Sequence, residues 1–288
     1  MQCRSVLTRV DALRTGELQA GEEGAVHEHL RTCKSCDQSV GDVTTLSDRI
    51  RGMLTAAPSR SCRDSLADSF AQVDDLWVAF SDRGLHLIHR GTFEEFQAAH
   101  AARYSRTLKP GALPETLRRQ VDDGLHGQGV RHPLVEWDDQ LSPLEREVLE
   151  TLTQIPRGEV RTYEWLARQV GRPKAVRAVG SICARNAVPF VVPCHRIVPS
   201  TGGVGHYAFG SAVKREMLRR EGVDVDTIDT LAKNRVRYIG SRTTKIVCFP
   251  TCRYARKIRE ENRVPFRAAG DATEKGFRPC LRCQPFAA

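Results

Sequence analysis

Four cysteines near one end of the chain, Cys248, Cys252, Cys280 and Cys283, form a Cys-x3-Cys pair and a Cys-x2-Cys pair separated by a basic loop. Pairs at this spacing suit a tetrahedral zinc ion, and a structural zinc supplies folding energy to a short segment directly. A second set stands at the other end: Cys3, His29, Cys33 and Cys36. On a helix, His29 and Cys33 share one face at i and i+4, with Cys36 three residues further on. With Cys3 they make four nitrogen and sulfur ligands. Two zinc sites are therefore expected, one in each of two small terminal modules. The alternatives are scattered cysteines on a helical hairpin at the first set and a purely structural zinc knuckle at the second.

The 288 residues suffice for two or three domains. The net charge of +9 is uneven: residues 1–150 hold 18 Lys+Arg against 24 Asp+Glu, while residues 231–288 hold 14 against 4. Ile246, Val247, Phe249, Phe266 and Phe277 interrupt that last basic block, so it reads as folded, and a folded basic module points to a phosphate backbone. A second basic zone covers residues 151–222. No segment has the apolar length to span a bilayer and residues 1–20 show no signal-peptide core, so a cytoplasmic protein without a membrane partner is expected. In that setting ten cysteines serve as ligands or nucleophiles before disulfides.

Helical periodicity marks Ser5 to Leu18, Glu22 to Thr32 and Cys36 to about Met53. A linker follows at residues 56–72, where Cys62 has no partner at ligand spacing. Leu76–Phe80 and Leu85–His89 read as a β-hairpin turning at Asp82-Arg83-Gly84, with a helix from Phe93 to Ala102. His86, His89, His100, Glu94 and Glu95 are expected at the surface. Ser142 and Glu145 form a capping box. Thr162–Val170, the turn Gly171-Arg172-Pro173 and Lys174–Ala184 read as helix-turn-helix. The apolar run Val188–Val192 reads as strand-like and ends at Pro193-Cys194-His195-Arg196, where an imidazole beside a thiol can promote the thiolate.

Tyr163-Glu164-Trp165-Leu166-Ala167, Gly171 through Gly180, Asn186, Pro193-Cys194-His195-Arg196 and Gly205-His206-Tyr207 occur in that order. Together they resemble the O6-alkylguanine-DNA alkyltransferases, through about Gly222. The resemblance implies a single-turnover transfer of an alkyl group from O6-alkylguanine, with O4-alkylthymine as a second substrate, in double-stranded DNA to Cys194. His195 would act as the base, through a water, and Glu221 would orient it. Tyr163 would hydrogen-bond the flipped guanine, Arg177 would fill the gap in the stack, and Asn186 would act as a hinge. Ala175, Ala178, Gly180 and Arg196 would complete the DNA contacts. Val176 departs from the small residue preferred at its position. Ala208-Phe209 supplies no hydroxyl after Tyr207, leaving Phe209 as a candidate apolar wall.

The C-terminal stretch is similar to the metal-binding domain of the adaptive-response (Ada) proteins. That implies Cys248 as both ligand and acceptor of a methyl group from a backbone phosphotriester, with Arg242 and Lys245 on neighbouring phosphates. The N-terminal set resembles the zinc-binding anti-sigma domain, which implies a sigma factor as a possible partner. The expected fold is multidomain: an α/β ribonuclease H-like lobe (73–139) and a helical helix-turn-helix lobe (140–226). A small helical zinc domain (1–55) and a small α+β zinc domain (236–286) flank them, in a monomer. A second reading of a different class is a zinc-dependent regulator that holds a sigma factor and responds to alkylation or redox stress.

Overall fold

The computed structural model describes residues 2–15, 18–41 and 67–286. The chain divides into two units after Ser65. Cys62, residues 56–66 of the expected linker and the far end of the helix expected to reach Met53 lie outside the described residues.

In the first unit, helices Cys3–Leu7, Val10–Thr15 and Ala20–Thr32 precede a helical stretch at 34–41. A small core of Val6, Val26 and Cys36 is closed by Leu13, Leu18 and Leu30. The expected first helix is broken at Thr8 and Arg9. Cys33 does not continue the helix of His29 either: it is the C-cap, with φ −110° and ψ 94°. His29 and Cys36 therefore approach from two helices across a corner.

The second unit opens with a four-stranded sheet ordered β3-β2-β1-β4. Its strands are β1 (Ala67–Val73), β2 (Leu76–Ser81), β3 (Gly84–Arg90) and β4 (Thr107–Pro110). The first three form an antiparallel meander and β4 runs parallel to β1. Residues 67–72 are thus strand and belong to the lobe, not to the linker. Helix Phe93–Ala101, opened by a Thr92/Glu95 capping box, lays Phe96 against Phe70 and Trp77.

Two of the histidines expected outside are inside. His86 and His100 are 0% and 2% exposed. Asp68 Oδ2 lies 2.7 Å from His100 Nε2 and 3.1 Å from His86 Nε2, and Arg106 bridges Asp68 and Glu136 at 2.9 Å each. Burial would raise the Asp68 carboxyl, but the two imidazoles and Arg106 outweigh it and hold it well below the usual range. Asp68, His86 and His100 converge as metal ligands could. The Arg106 guanidinium already supplies the positive charge that a cation would bring.

After that sheet, helices Pro143–Thr153, Tyr163–Gln169 and Val176–Ala184 pack against one another. Ser142 and Glu145 form the expected capping box, with Pro143 in the first turn. β5 (Arg161–Thr162) pairs in parallel with β6 (Ile197–Val198), and helices Ser211–Arg220 and Val225–Lys233 follow. Val188–Val192 is not a strand but a run of turns. Pro189 and Pro193 lack the N–H that a ladder needs, and Phe190 adopts φ 72°. The last module is a sheet ordered β10-β8-β7-β9, with β7 (Tyr238–Ser241), β8 (Ile246–Cys248), β9 (Arg263–Phe266) and β10 (Arg278–Pro279). No helix among the described residues is long and apolar enough to cross a membrane.

Candidate alkyl-acceptor and metal sites

Cys194 begins a 3-10 turn, Cys194–Arg196, at the mouth of β6. Asn186, just beyond the end of helix Val176–Ala184, fixes that turn. Its Nδ2 donates to Val192 O at 2.9 Å and to Cys194 Sγ at 3.2 Å, and its Oδ1 accepts from Val188 N. The amide takes over hydrogen bonds that a strand would have made.

His195 and Glu221 are 1% and 5% exposed. His195 Nε2 lies 2.9 Å from Glu221 Oε1. Glu221 carries the charge, so Nε2–H donates and Nδ1 is the unprotonated nitrogen. Nδ1 has no protein hydrogen-bond partner. Burial would raise the Glu221 carboxyl, but His195 and Arg196 bring it down to about 2. Burial lowers His195 against the opposing pull of Glu221.

Arg196 does not belong to a DNA-facing surface. It is 4% exposed, and its guanidinium donates to both Glu221 oxygens and to Ile155 O. A buried carboxylate that supports one imidazole needs this second cation.

A cavity of about 170 Å³ opens onto Cys194, walled by Asn186, Pro189, Tyr207, Ala208 and Phe209. Phe209 stacks on Phe190 at 5.4 Å, and Arg90 lies over both rings. Tyr163 is not among the lining residues. It starts its helix half-buried against Gly180, with its phenol pushed up to about 12 by burial. Arg177 and Ala178 are exposed on helix Val176–Ala184, while Ala175, its N-cap, and Gly180 are half-buried.

Two contributors to the thiol's surroundings were not assigned a role from the sequence. Burial pushes the Cys194 thiol up, and the Asn186 amide, Lys214 and the Tyr207 hydroxyl oppose it. Lys214 is 0% exposed, donates to Ile197 O and His206 O, and is itself lowered to about 8 by burial. Lys214, Met217, Leu218 and Glu221 follow one another at i, i+3, i+4 and i+7, so the lysine sits on the apolar stripe. That spacing was the available signal.

Two sulfur-rich clusters remain. Cys248, Cys252, Cys280 and Cys283 are all buried, with their Sγ atoms within 4.8 Å of one another. Four mutually facing buried thiols suit a thiophilic cation, and the set fits zinc. Cys3, His29, Cys33 and Cys36 also converge within 4.8 Å, but more openly, with Cys3 exposed. Beside Cys248 lies a cleft of about 890 Å³ lined by Lys257, Arg259, Arg278 and Arg282. Arg242 and Lys245 are exposed on the same module.

Residues 143–223 match the family model for the 6-O-methylguanine DNA methyltransferase DNA binding domain, and residues 229–285 match the metal binding domain of Ada. The chain is 46% identical over 151 residues to a methylated-DNA–protein-cysteine methyltransferase of Salmonella typhimurium, covering 51% of this chain and 80% of that protein. It is 32% identical over 190 residues to the regulatory protein ada of the same species, covering 61% of this chain and 51% of that one. Among solved structures, it is similar to Mycobacterium tuberculosis OGT in complex with DNA, with a TM-score of 0.44 and 25% identity over 57% of this chain and 99% of that one. The chain spans about half the length of that ada protein and of the mouse and human methyltransferases it also matches.

Proposed function

The chain belongs to the methylated-DNA–protein-cysteine methyltransferase family, and from that premise we propose that it repairs O6-alkylguanine in duplex DNA by irreversible transfer to Cys194. The observation that carries the reading is the buried arrangement of Cys194, His195 and Glu221, with His195 Nδ1 free of protein partners. In the proposed step the thiol proton passes to Nδ1 through one water. The thiolate attacks the alkyl carbon, an S–C bond forms and the C–O6 bond breaks. Guanine leaves as an anion, and Tyr163 stabilises it by donating a hydrogen bond. Asn186 and Lys214 stabilise the thiolate before attack. Extruding the base costs a few kcal/mol, and Arg177 would fill the space it leaves.

In the same reading the four-strand lobe is ribonuclease H-like and the pair of helices Tyr163–Gln169 and Val176–Ala184 is the helix-turn-helix that meets DNA, in a monomer. Cys248, Cys252, Cys280 and Cys283 would hold zinc, which keeps its thiolates deprotonated at neutral pH. Cys248 would take a methyl group from a methylated backbone phosphate, which leaves as the diester anion. An uncharged triester can approach an anionic thiolate set where an ordinary phosphate is repelled. Arg242 and Lys245 would hold flanking phosphates. The convergence of Cys3, His29, Cys33 and Cys36 supports a second zinc. A sigma-factor partner rests on resemblance alone.

The test is intact-mass analysis after incubation with duplex DNA carrying O6-methylguanine. One methyl group is expected on the tryptic peptide containing Cys194, and none in Cys194→Ser. An unchanged mass with excess lesion contradicts the reading.

A further inference from the structure

Between helices Pro143–Thr153 and Tyr163–Gln169, four consecutive residues serve both sulfur centres. Gly158 N donates to Glu221 Oε2 at 3.1 Å, the oxygen of that carboxylate not bonded to His195. Gly158 has φ +74°, and a Cβ there would meet Glu221 O at 2.9 Å, so this approach needs glycine. The next residue, Glu159, is 1% exposed and faces the other way. Its Oε1 accepts from Arg253 N at 3.3 Å and lies 3.6 Å from Arg282 Nε. Its Oε2 pairs with Arg161 at 2.7 Å. Val160 N donates to Thr251 Oγ1 at 2.9 Å, and the Arg161 guanidinium lies over the rings of Trp165 and Phe249.

The partners on the far side are all neighbours of the four cysteines. Phe249 follows Cys248, Thr251 and Arg253 flank Cys252, and Arg282 lies between Cys280 and Cys283. The loops that carry the ligand sulfurs therefore grip residues 159–161, while residue 158 holds the carboxylate that orients His195.

The geometry points to Glu159 as a positioning residue for alkyl transfer at Cys194, through which the four-cysteine module holds Gly158 against Glu221. This inference rests on the proposed role of Cys194 as acceptor. Glu159 itself touches neither reacting atom. It determines where Glu221 stands, and Glu221 stabilises the His195 imidazolium that accompanies the thiolate. The other charges acting on His195 are Arg196, which is bound to the same carboxylate, and Lys214. Loosening the grip makes the thiolate harder to form, so the apparent pKa of Cys194 moves up.

The test compares the full-length chain with Glu159→Gln, Glu159→Ala and Thr251→Val. Zinc content and melting temperature are recorded for each. Cys194 reactivity toward a small haloacetamide is followed against pH by peptide mass spectrometry, which needs no DNA and therefore separates this inference from the repair reading. Methyl transfer from O6-methylguanine DNA is measured in parallel. The expected result in Glu159→Ala is a rise of about one unit in the apparent pKa of Cys194, with methyl transfer slowed about tenfold at neutral pH. Glu159→Gln, which keeps an acceptor for Arg253 N, is expected to lie between it and the unmutated chain, and Thr251→Val to shift the profile in the same direction. Unchanged Cys194 profiles in both Glu159→Ala and Thr251→Val overturn the inference while leaving Cys194 as acceptor. A merely structural role would lower the melting temperature without moving the pH profile, and would overturn it equally.

Discussion

Cys194 and Cys248 are both buried sulfurs, 6% and 1% exposed, yet their surroundings differ in kind. Around Cys194 stand the Asn186 amide, the Tyr207 phenol and the Lys214 ammonium, each delivered by a different part of the lobe. Around Cys248 stand three more sulfurs, delivered by two short loops. One thiol is prepared by the cooperation of the whole fold. The other is prepared by ligand spacing and a cation. The comparison teaches that burial alone decides nothing about a cysteine's reactivity, because it raises the thiol pKa in each place and something else must oppose it.

That contrast can be broken most severely at Glu221. Glu221→Gln leaves Cys194 in place but removes the charge that supports both His195 and Arg196. Methyl transfer to Cys194 is expected to fall about 100-fold, while transfer at Cys248 is unchanged. Single-turnover rates with the two lesions supplied separately check this, and a parallel fall at both cysteines would show that Cys248 also depends on Glu221. The same variant tests linkage. Because the folded-state pKa of Glu221 is about 2 against an ordinary 4.5, its stabilisation is fully present above that ordinary value and lost as the pH falls through about 2. Urea unfolding across that window should show a slope, on the order of 3 kcal/mol in total, that Glu221→Gln lacks.

A smaller effect is expected at Lys214. Lys214→Met should raise the apparent pKa of Cys194 by about one unit and slow methyl transfer roughly tenfold at neutral pH, with Lys214→Arg partly restoring both. Haloacetamide labelling against pH measures the shift. A Lys214→Met profile that overlays the unmutated one would remove the ammonium from the account of Cys194 and leave Asn186 and Tyr207 to oppose burial.

The two centres were also unequally legible. The four C-terminal cysteines announce their site by spacing, because a ligand set is local and needs only two loops to meet. Cys194, His195 and Glu221 were singled out by an ordered motif, and the structure brings His195 and Glu221 together, while the Ser142/Glu145 cap and the β2–β3 hairpin follow local rules. What failed was burial of charge. Arg196, next to a cysteine and histidine near a DNA-binding motif, looks like a phosphate contact, and only the distant Glu221 makes it an interior residue. Lys214 lies in Lys-Arg-Glu, which reads as a solvated face unless its i, i+3, i+4, i+7 register is followed. His86 and His100 look like surface histidines until β1 brings Asp68 between them. Val188–Val192 has strand composition, but two prolines and the Asn186 amide turn it into a bend. The misses at Arg196, His86 and His100 depend on partners from other elements, which no local pattern encodes, whereas the register of Lys214 and the prolines at 189 and 193 are local signals.

In the proposed function, two differently prepared cysteines divide two lesions between them. The most direct measurement maps the methylated residue in the unmutated, zinc-loaded chain after exposure to DNA containing only O6-methylguanine, and separately to DNA containing only methyl phosphotriesters. Methyl is expected on Cys194 alone in the first case and on Cys248 alone in the second. Methyl on one cysteine with both substrates, or no methyl on Cys248 with triester DNA, would contradict this division.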